Sequence, residues 1–178
     1  MLLTERTRVD AITVSDAEEL HRYFERNLKH LEPWEPERTA GYHDLGAWKE
    51  RARDQQRCAR EGKSYHFAVR IAQGDEIKGI CNFNSVSRGA FLACYLGYSI
   101  DSRSEGHGLM FEALSTLIPF VFDTFGLHRI MANYMPSNER SGKLLHRLGF
   151  EKEGFAKSYL KIAGRWEDHV LTARVNSA

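Results

Sequence analysis

The sequence predicts an α/β fold of the α+β kind, a mixed sheet with helices on its faces. Two observations carry that expectation. The hydrophobic period switches repeatedly between three-to-four and two, in the order strand, two helices, three strands, helix, strand, helix, two strands. The chain has 178 residues, 42% of them apolar, and no Pro/Gly/Ser-rich linker or internal repeat divides it. A chain of that size supports one core, so residues 1–178 read as a single domain with one active site.

A strand is expected near residues 6–13. The capping box Ser15-Asp16-Ala17-Glu18 then starts a helix that uses Ala17, Leu20, Phe24 and Leu28. After a turn-rich segment around Pro33 and Pro36, a second helix uses Leu45, Trp48, Ala52, Gln55 and Ala59 and stops at Gly62. Tyr65, Phe67, Val69 and Ile71 alternate, Gly74-Asp75 turns, and Ile77 to Phe83 completes a hairpin. A strand from about Phe91 to Ile100 leads into a glycine-rich segment and a third helix ending at Gly126. Pro119 is expected to kink that helix by removing a backbone donor. His128 to Met135 forms the next strand. Ser137 caps a fourth helix carrying Ser141, Leu144, Leu145 and Leu148, and two strands, about 154–162 and 165–175, close the chain.

Composition excludes several functional classes. Twenty-five Lys and Arg against 24 Asp and Glu leave a net charge of +1, too small a field for general attraction to nucleic acid or an anionic membrane. No signal peptide opens the sequence and no run approaches the roughly 18 apolar residues of a membrane span, so a cytoplasmic protein is expected. Cys58, Cys81 and Cys94 form no C-x-x-C pair, and the eight histidines show no ligand spacing, so neither disulfides nor a metal is expected.

Arg103-Ser104-Glu105-Gly106-His107-Gly108 reads R-x-x-G-x-G between a strand and a helix that opens at Leu109. Two glycines there let backbone N–H groups approach an anion, and the helix N-terminus adds roughly half a positive charge, an arrangement suited to a pyrophosphate. The third glycine of a Rossmann fingerprint and the G-K-[ST] of a P-loop are both missing.

With this loop stand His128-Arg129-Ile130-Met131-Ala132-Asn133, Asn138-Glu139-Arg140-Ser141 and Leu148-Gly149-Phe150-Glu151. Together these segments resemble the GCN5-related N-acetyltransferase (GNAT) superfamily, in particular its RimJ/RimL branch of ribosomal-protein N-terminal acetyltransferases. Trp34-Glu35-Pro36 and Ala93 to Ile100 are most similar to the RimJ type. The resemblance implies a twisted, mostly antiparallel sheet of about seven strands, splayed between strands 4 and 5 and flanked by about four helices. It implies acetyl-CoA as cosubstrate without a metal, and as acceptor the N-terminal segment of a ribosomal protein, beginning with alanine.

Carried over residue by residue, the resemblance sets the pantetheine arm beside Tyr98, Ser99 and Ile100, paired like an added strand. It sets the pyrophosphate on Arg103, Ser104, Glu105, Gly106, His107, Gly108 and Leu109. Asn138 contacts the cofactor, Ser141 hydrogen-bonds the departing sulfur, and Lys143 either faces the phosphate end or is simply solvated. Where the RimL relative carries its proposed glutamate, this chain has Leu160, which leaves the base open among Asp168, Glu167, Glu35 and a water chain. Trp34 and Glu35 are expected to wall the substrate groove or, for Trp34, to pack in the core. A small-amine acceptor and a non-catalytic acyl-CoA-binding or ribosome-assembly protein are the competing readings.

Overall fold

Alternating side chains of the central strands feed two separate cores, one on each face of the sheet, in a computed structural model that describes residues 1–176. The elements are β1 (Leu2–Leu3), β2 (Thr7–Ala11), α1 (Ala17–Leu31), α2 (Leu45–Arg60), β3 (Tyr65–Ile71), β4 (Ile77–Ser87), β5 (Ala93–Ile100), α3 (Leu109–Phe125), β6 (Arg129–Met131), α4 (Glu139–Arg147), β7 (Glu151–Ile162) and β8 (Arg165–Val175). The strands lie in the order β1-β2-β3-β4-β5-β6-β8-β7. All pairs are antiparallel except β5 with β6. Leu2–Leu3 pairs with β2 and makes the sheet eight-stranded, one strand more than the sequence suggests.

One core joins Val9, Phe67, Phe83 and Leu96 of the sheet to Leu114, Leu117, Ile118 and Val121 of α3 and Leu145 of α4. The other joins Ala68, Ile77 and Ile80 to Leu20 and Tyr23 of α1 and Trp48 and Ala52 of α2. Each fully buried aliphatic side chain contributes about 1.5–3 kcal/mol, so α3, apolar along most of its length, anchors the fold. It runs unbroken through Pro119 to Phe125.

Local chemistry corrects several boundaries. The capping box lies two residues earlier than expected, on the 3-10 turn Val14–Asp16 that leads into α1: the Thr13 N–H donates to Asp16 Oδ2 at 2.7 Å. The buried stripe of α1 runs through Tyr23 and Asn27, while Leu28 is 52% exposed. Asn138, not Ser137, caps α4, its Oδ1 accepting from the Ser141 N–H at 3.1 Å. The strand expected from His128 to Met135 is regular only over three residues, then continues as a single bridge between Tyr134 and Val170.

What positions the site is the short β5–β6 pairing. It runs from Ala93↔Arg129 to Tyr95↔Met131 and stops. From Leu96 to Ile100, β5 is paired to β4 alone, so its other edge opens onto the gap before α4. Gly79 keeps β4 close to that segment: a Cβ built there would stand 2.9 Å from the Ser99 carbonyl oxygen and 2.7 Å from Met110 Cε. Backbone cannot move as a side chain can, so Gly79→Ala is expected to cost about 1–3 kcal/mol in denaturant unfolding. A variant as stable as the parent would contradict this packing.

Candidate active site

Three elements converge on the opening: the free edge of β5, the glycine loop before α3 and the first turn of α4. Gly106 and Gly108 both adopt φ of +77°, the left-handed region where a side chain is strained. Gly108 is the N-cap of α3 and has no side-chain cap. Among the described residues the N–H groups of Gly106, His107, Gly108, Leu109 and Met110 find no protein acceptor; the first helical bond comes from Glu112 to the Gly108 carbonyl at 3.0 Å. A row of unpaired donors at a helix N-terminus is chemically suited to an anion.

The loop is held from both sides. Asp101 is buried, accepting from Arg26 Nε at 2.8 Å, from Asn27 Nδ2 at 3.3 Å and from the Arg103 N–H at 2.9 Å. Burial acts to raise its pKa, but the hydrogen bonds from Arg103 and Arg26 outweigh that and hold the carboxyl well below the usual range. Opposite, Arg6 donates to the His107 carbonyl at 2.9 Å and pairs with Glu112 at 2.6 Å.

The charged residues expected on the phosphates are already engaged with one another. Arg103 bridges Asp101 at 3.1 Å and Glu76 at 2.7 Å. Glu105 pairs with Arg140, and Lys143, largely exposed, lies 3.2 Å from Glu139 one turn back. The loop therefore offers an anion chiefly backbone donors, with Arg103, Arg140 and Lys143 at its rim. Ser104, by contrast, is buried beneath it.

In the gap itself, the Tyr98 hydroxyl lies 2.7 Å from Ser141 Oγ. Burial pushes the Tyr98 phenol up, against a smaller opposing pull from Ser141, so it stays protonated. On the other sheet face Tyr23 reaches Ser99 Oγ at 2.9 Å. Ser141 is thus fixed twice, its N–H by Asn138 and its hydroxyl by Tyr98.

Asp168 stands apart from this cluster. Its Oδ1 accepts from the Ser158 N–H at 2.8 Å, where β7 bulges with Ser158 at φ +46°. That bond satisfies the N–H which the bulge removes from the ladder. Glu35 lies in the loop between α1 and α2, its carbonyl receiving the Ala163 N–H at 2.9 Å, which ties that loop to the β7–β8 turn. Burial raises its carboxyl pKa, partly offset by Arg38 at 3.7 Å. It lines a groove of about 470 Å³ with Glu32, Glu37, Arg38, Asp44 and Ala163. Trp34 is 38% exposed beside it.

Sequence reasoning missed Arg26, Asn27 and the Tyr98 hydroxyl, because each partner lies more than 40 residues away and only the register of the sheet brings them together. Cys94 is no nucleophile, being buried with its thiol pushed up to about 12. Among the described residues no three His, Cys, Asp or Glu side chains are grouped to hold a metal ion.

Comparison with known proteins agrees with this arrangement. Residues 6–151 match the acetyltransferase (GNAT) domain family. The chain is 48% identical over 172 residues to the Escherichia coli ribosomal protein uS5-alanine N-acetyltransferase, covering 97% of this chain and 89% of that one. A crystal structure of the ribosomal-protein-S5-alanine acetyltransferase from Vibrio fischeri superposes with a TM-score of 0.95 at 40% identity, covering 99% of this chain and 96% of that one. Mycobacterium smegmatis RimJ in complex with CoA-disulfide gives 0.89 at 30% identity, covering 95% and 81%. An open strand edge, an uncapped glycine loop and a kinship spanning almost the whole length agree: the chain belongs to the GNAT family of N-acetyltransferases.

Proposed function

We propose that this chain, acting as one acetyltransferase domain, transfers the acetyl group of acetyl-CoA to the N-terminal α-amine of a small-subunit ribosomal protein, with alanine as the first residue. The observation that carries the reading is the row of unpaired loop N–H groups beside a free strand edge that leads to the Tyr98–Ser141 pair. Pyrophosphate oxygens suit the donors of Gly106 to Met110, and pantetheine amides suit the main chain of Tyr98, Ser99 and Ile100. Likeness to the E. coli and Vibrio fischeri ribosomal-protein-alanine acetyltransferases supports the acceptor.

Acetyl-CoA supplies an activated thioester, and the chain supplies position and electrostatics. Asn138, its Oδ1 engaged in the cap, keeps an amide NH2 for the cofactor. Ser141 Oγ donates a hydrogen bond to the sulfur that leaves; a serine hydroxyl is too weak an acid to transfer its proton outright to a thiolate of ordinary pKa about 8.5. Glu35, its proton affinity raised by burial and its carboxyl on the groove, is the carboxylate suited to receive the amine proton. Asp168 is committed to the bulge at Ser158.

An α-amine ionises near 7.7–8.0 and a lysine near 10.4, so obtaining the neutral lysine near pH 7.5 costs about 3.5 kcal/mol more. A modest base therefore favours N-terminal over side-chain amines. No described helix is long and apolar enough to cross a membrane, and a ribosomal acceptor implies a cytoplasmic reaction.

One observation favours a second reading: Glu32, Glu35, Glu37 and Asp44 all line the groove, which suits a small polycationic amine. Thiol release with acetyl-CoA separates the two. Peptides beginning with Ala are expected to turn over at least tenfold faster, in kcat/KM, than spermidine or an N-terminally blocked peptide with an internal lysine. Turnover on spermidine alone would replace the first reading with the second.

A further inference from the structure

The hydroxyl pair in the gap between β5 and α4 carries a role beyond lining the site. Ser141 sits at the third position of α4, where Asn138 fixes its backbone but leaves its side chain free to rotate. One polar contact then selects its rotamer: the Tyr98 hydroxyl at 2.7 Å, with the Ser141 carbonyl as a longer alternative at 3.4 Å. Tyr98 is on the strand that pairs with β4 in register Cys81↔Tyr98, so its ring is carried by the sheet, not by a loop. The phenol is the stronger acid of the two hydroxyls and the alcohol oxygen the better acceptor, so the proton between them belongs to Tyr98. Donation by Tyr98 leaves the single Ser141 proton free to point elsewhere.

We propose that Tyr98 is a positioning residue for acetyl transfer: its phenolic O–H donates to Ser141 Oγ, fixes that side chain and directs the Ser141 O–H to the departing sulfur. The inference rests on the assignment of Ser141 to that sulfur. As the new N–C bond forms and the C–S bond breaks, the nitrogen loses one proton and the sulfur gains one through solvent. Tyr98 and Ser141 keep theirs and only orient their hydrogen bonds. Because Tyr98 polarises Ser141, the Ser141 donor is stronger with the phenol present than without it.

The test is a double-mutant cycle on the full chain, with kcat and KM measured for an Ala-peptide and for acetyl-CoA. Tyr98→Phe is expected to lower kcat about five- to tenfold with either KM changed less than twofold. In a Ser141→Ala background the same substitution is expected to have no further effect, since its effect acts only through that hydroxyl. Equal slowing in both backgrounds would overturn the proposal, as would a loss confined to the KM for acetyl-CoA, which would mean packing against the cofactor. Full activity of Ser141→Ala alone would instead remove the underlying assignment. Should Tyr98→Phe lower the melting temperature, 3-fluorotyrosine at position 98 keeps the bulk while strengthening the donor. It is expected to raise kcat where Ser141 is present and to leave it unchanged in Ser141→Ala, and an equal rise in both backgrounds would equally overturn the proposal.

Discussion

Asp101→Ala is expected to lower the unfolding free energy by about 3 kcal/mol at pH 7, the lower end of the range for breaking a buried ion pair by removing one partner. The carboxylate is buried and gathers Arg26, Asn27 and the Arg103 main chain. Arg26 keeps Glu19 at 3.1 Å and Glu76 at 3.4 Å as second partners, which is why the upper end does not apply. Arg103, largely exposed, adds little of its own. For a chain of this size that loss corresponds to about 6–12 °C in melting temperature. The pH dependence follows from the sign of the shift. The carboxyl pKa is depressed in the folded state, so its contribution is complete above the unfolded value of about 3.9 and is lost as pH falls below it toward the folded value. Wild type and variant should therefore begin to converge in stability below about pH 4, with the gap at pH 3 narrower than at pH 7. Chemical denaturation between pH 3 and 8 reads both effects; a gap that stays constant with pH would mean the loss is one of packing, not of charge.

How this cluster forms explains what a sequence can and cannot disclose. Periodicity located the hairpin of Tyr65 to Phe83 and the apolar helix after Gly108, because strand alternation and helical stripes are local properties. Spacing alone marked the two glycines before that helix as an anion loop, and resemblance added Asn138 with Ser141. Caps were misplaced where neighbouring polar residues compete: Ser15 against Thr13, Ser137 against Asn138. In each case the residue whose backbone leaves the helical region just before the first turn wins, and composition does not show which one that is. Asp168 stood among the candidate bases because a carboxylate near a strand start is chemically suggestive; the bulge whose N–H it accepts depends on a register shift between β7 and β8 that no local pattern announces. Asp101 stands in the sequence only as a polar residue between the strand ending at Ile100 and the loop starting at Arg103. Its partners Arg26 and Asn27 lie on α1, whose buried face was expected through Ala17, Leu20, Phe24 and Leu28; the first three pack in the core, but the fully buried stripe passes through Tyr23 and Asn27, one position before Phe24 and Leu28, and leaves Leu28 exposed.

Gly108→Val is expected to weaken acetyl-CoA binding about 10- to 150-fold. At φ +77° a β-branched residue is a genuine outlier, and a non-glycine residue in the left-handed region costs roughly 1–2 kcal/mol. The strain is relieved by rotating the peptide units on either side, and those units carry the N–H groups of Gly108 and Leu109 that have no protein acceptor. Losing one charge-assisted hydrogen bond, worth about 1.5–3 kcal/mol, gives the stated range at 1.4 kcal/mol per tenfold. A control at the far end of the same helix separates binding from stability. Gly126, the C-cap of α3, also has positive φ, at +60°, and lies a helix length from the loop. Gly126→Val should cost comparable stability by the same strain while leaving the calorimetric Kd for acetyl-CoA unchanged. If Gly108→Val bound acetyl-CoA as tightly as wild type, the pyrophosphate would have to rest on the rim cations Arg103, Arg140 and Lys143, and the loop backbone would lose its assigned role. If both variants weakened binding equally, the effect would belong to α3 as a whole. Only loss at Gly108 alone ties the affinity to the unpaired donors at the start of the helix.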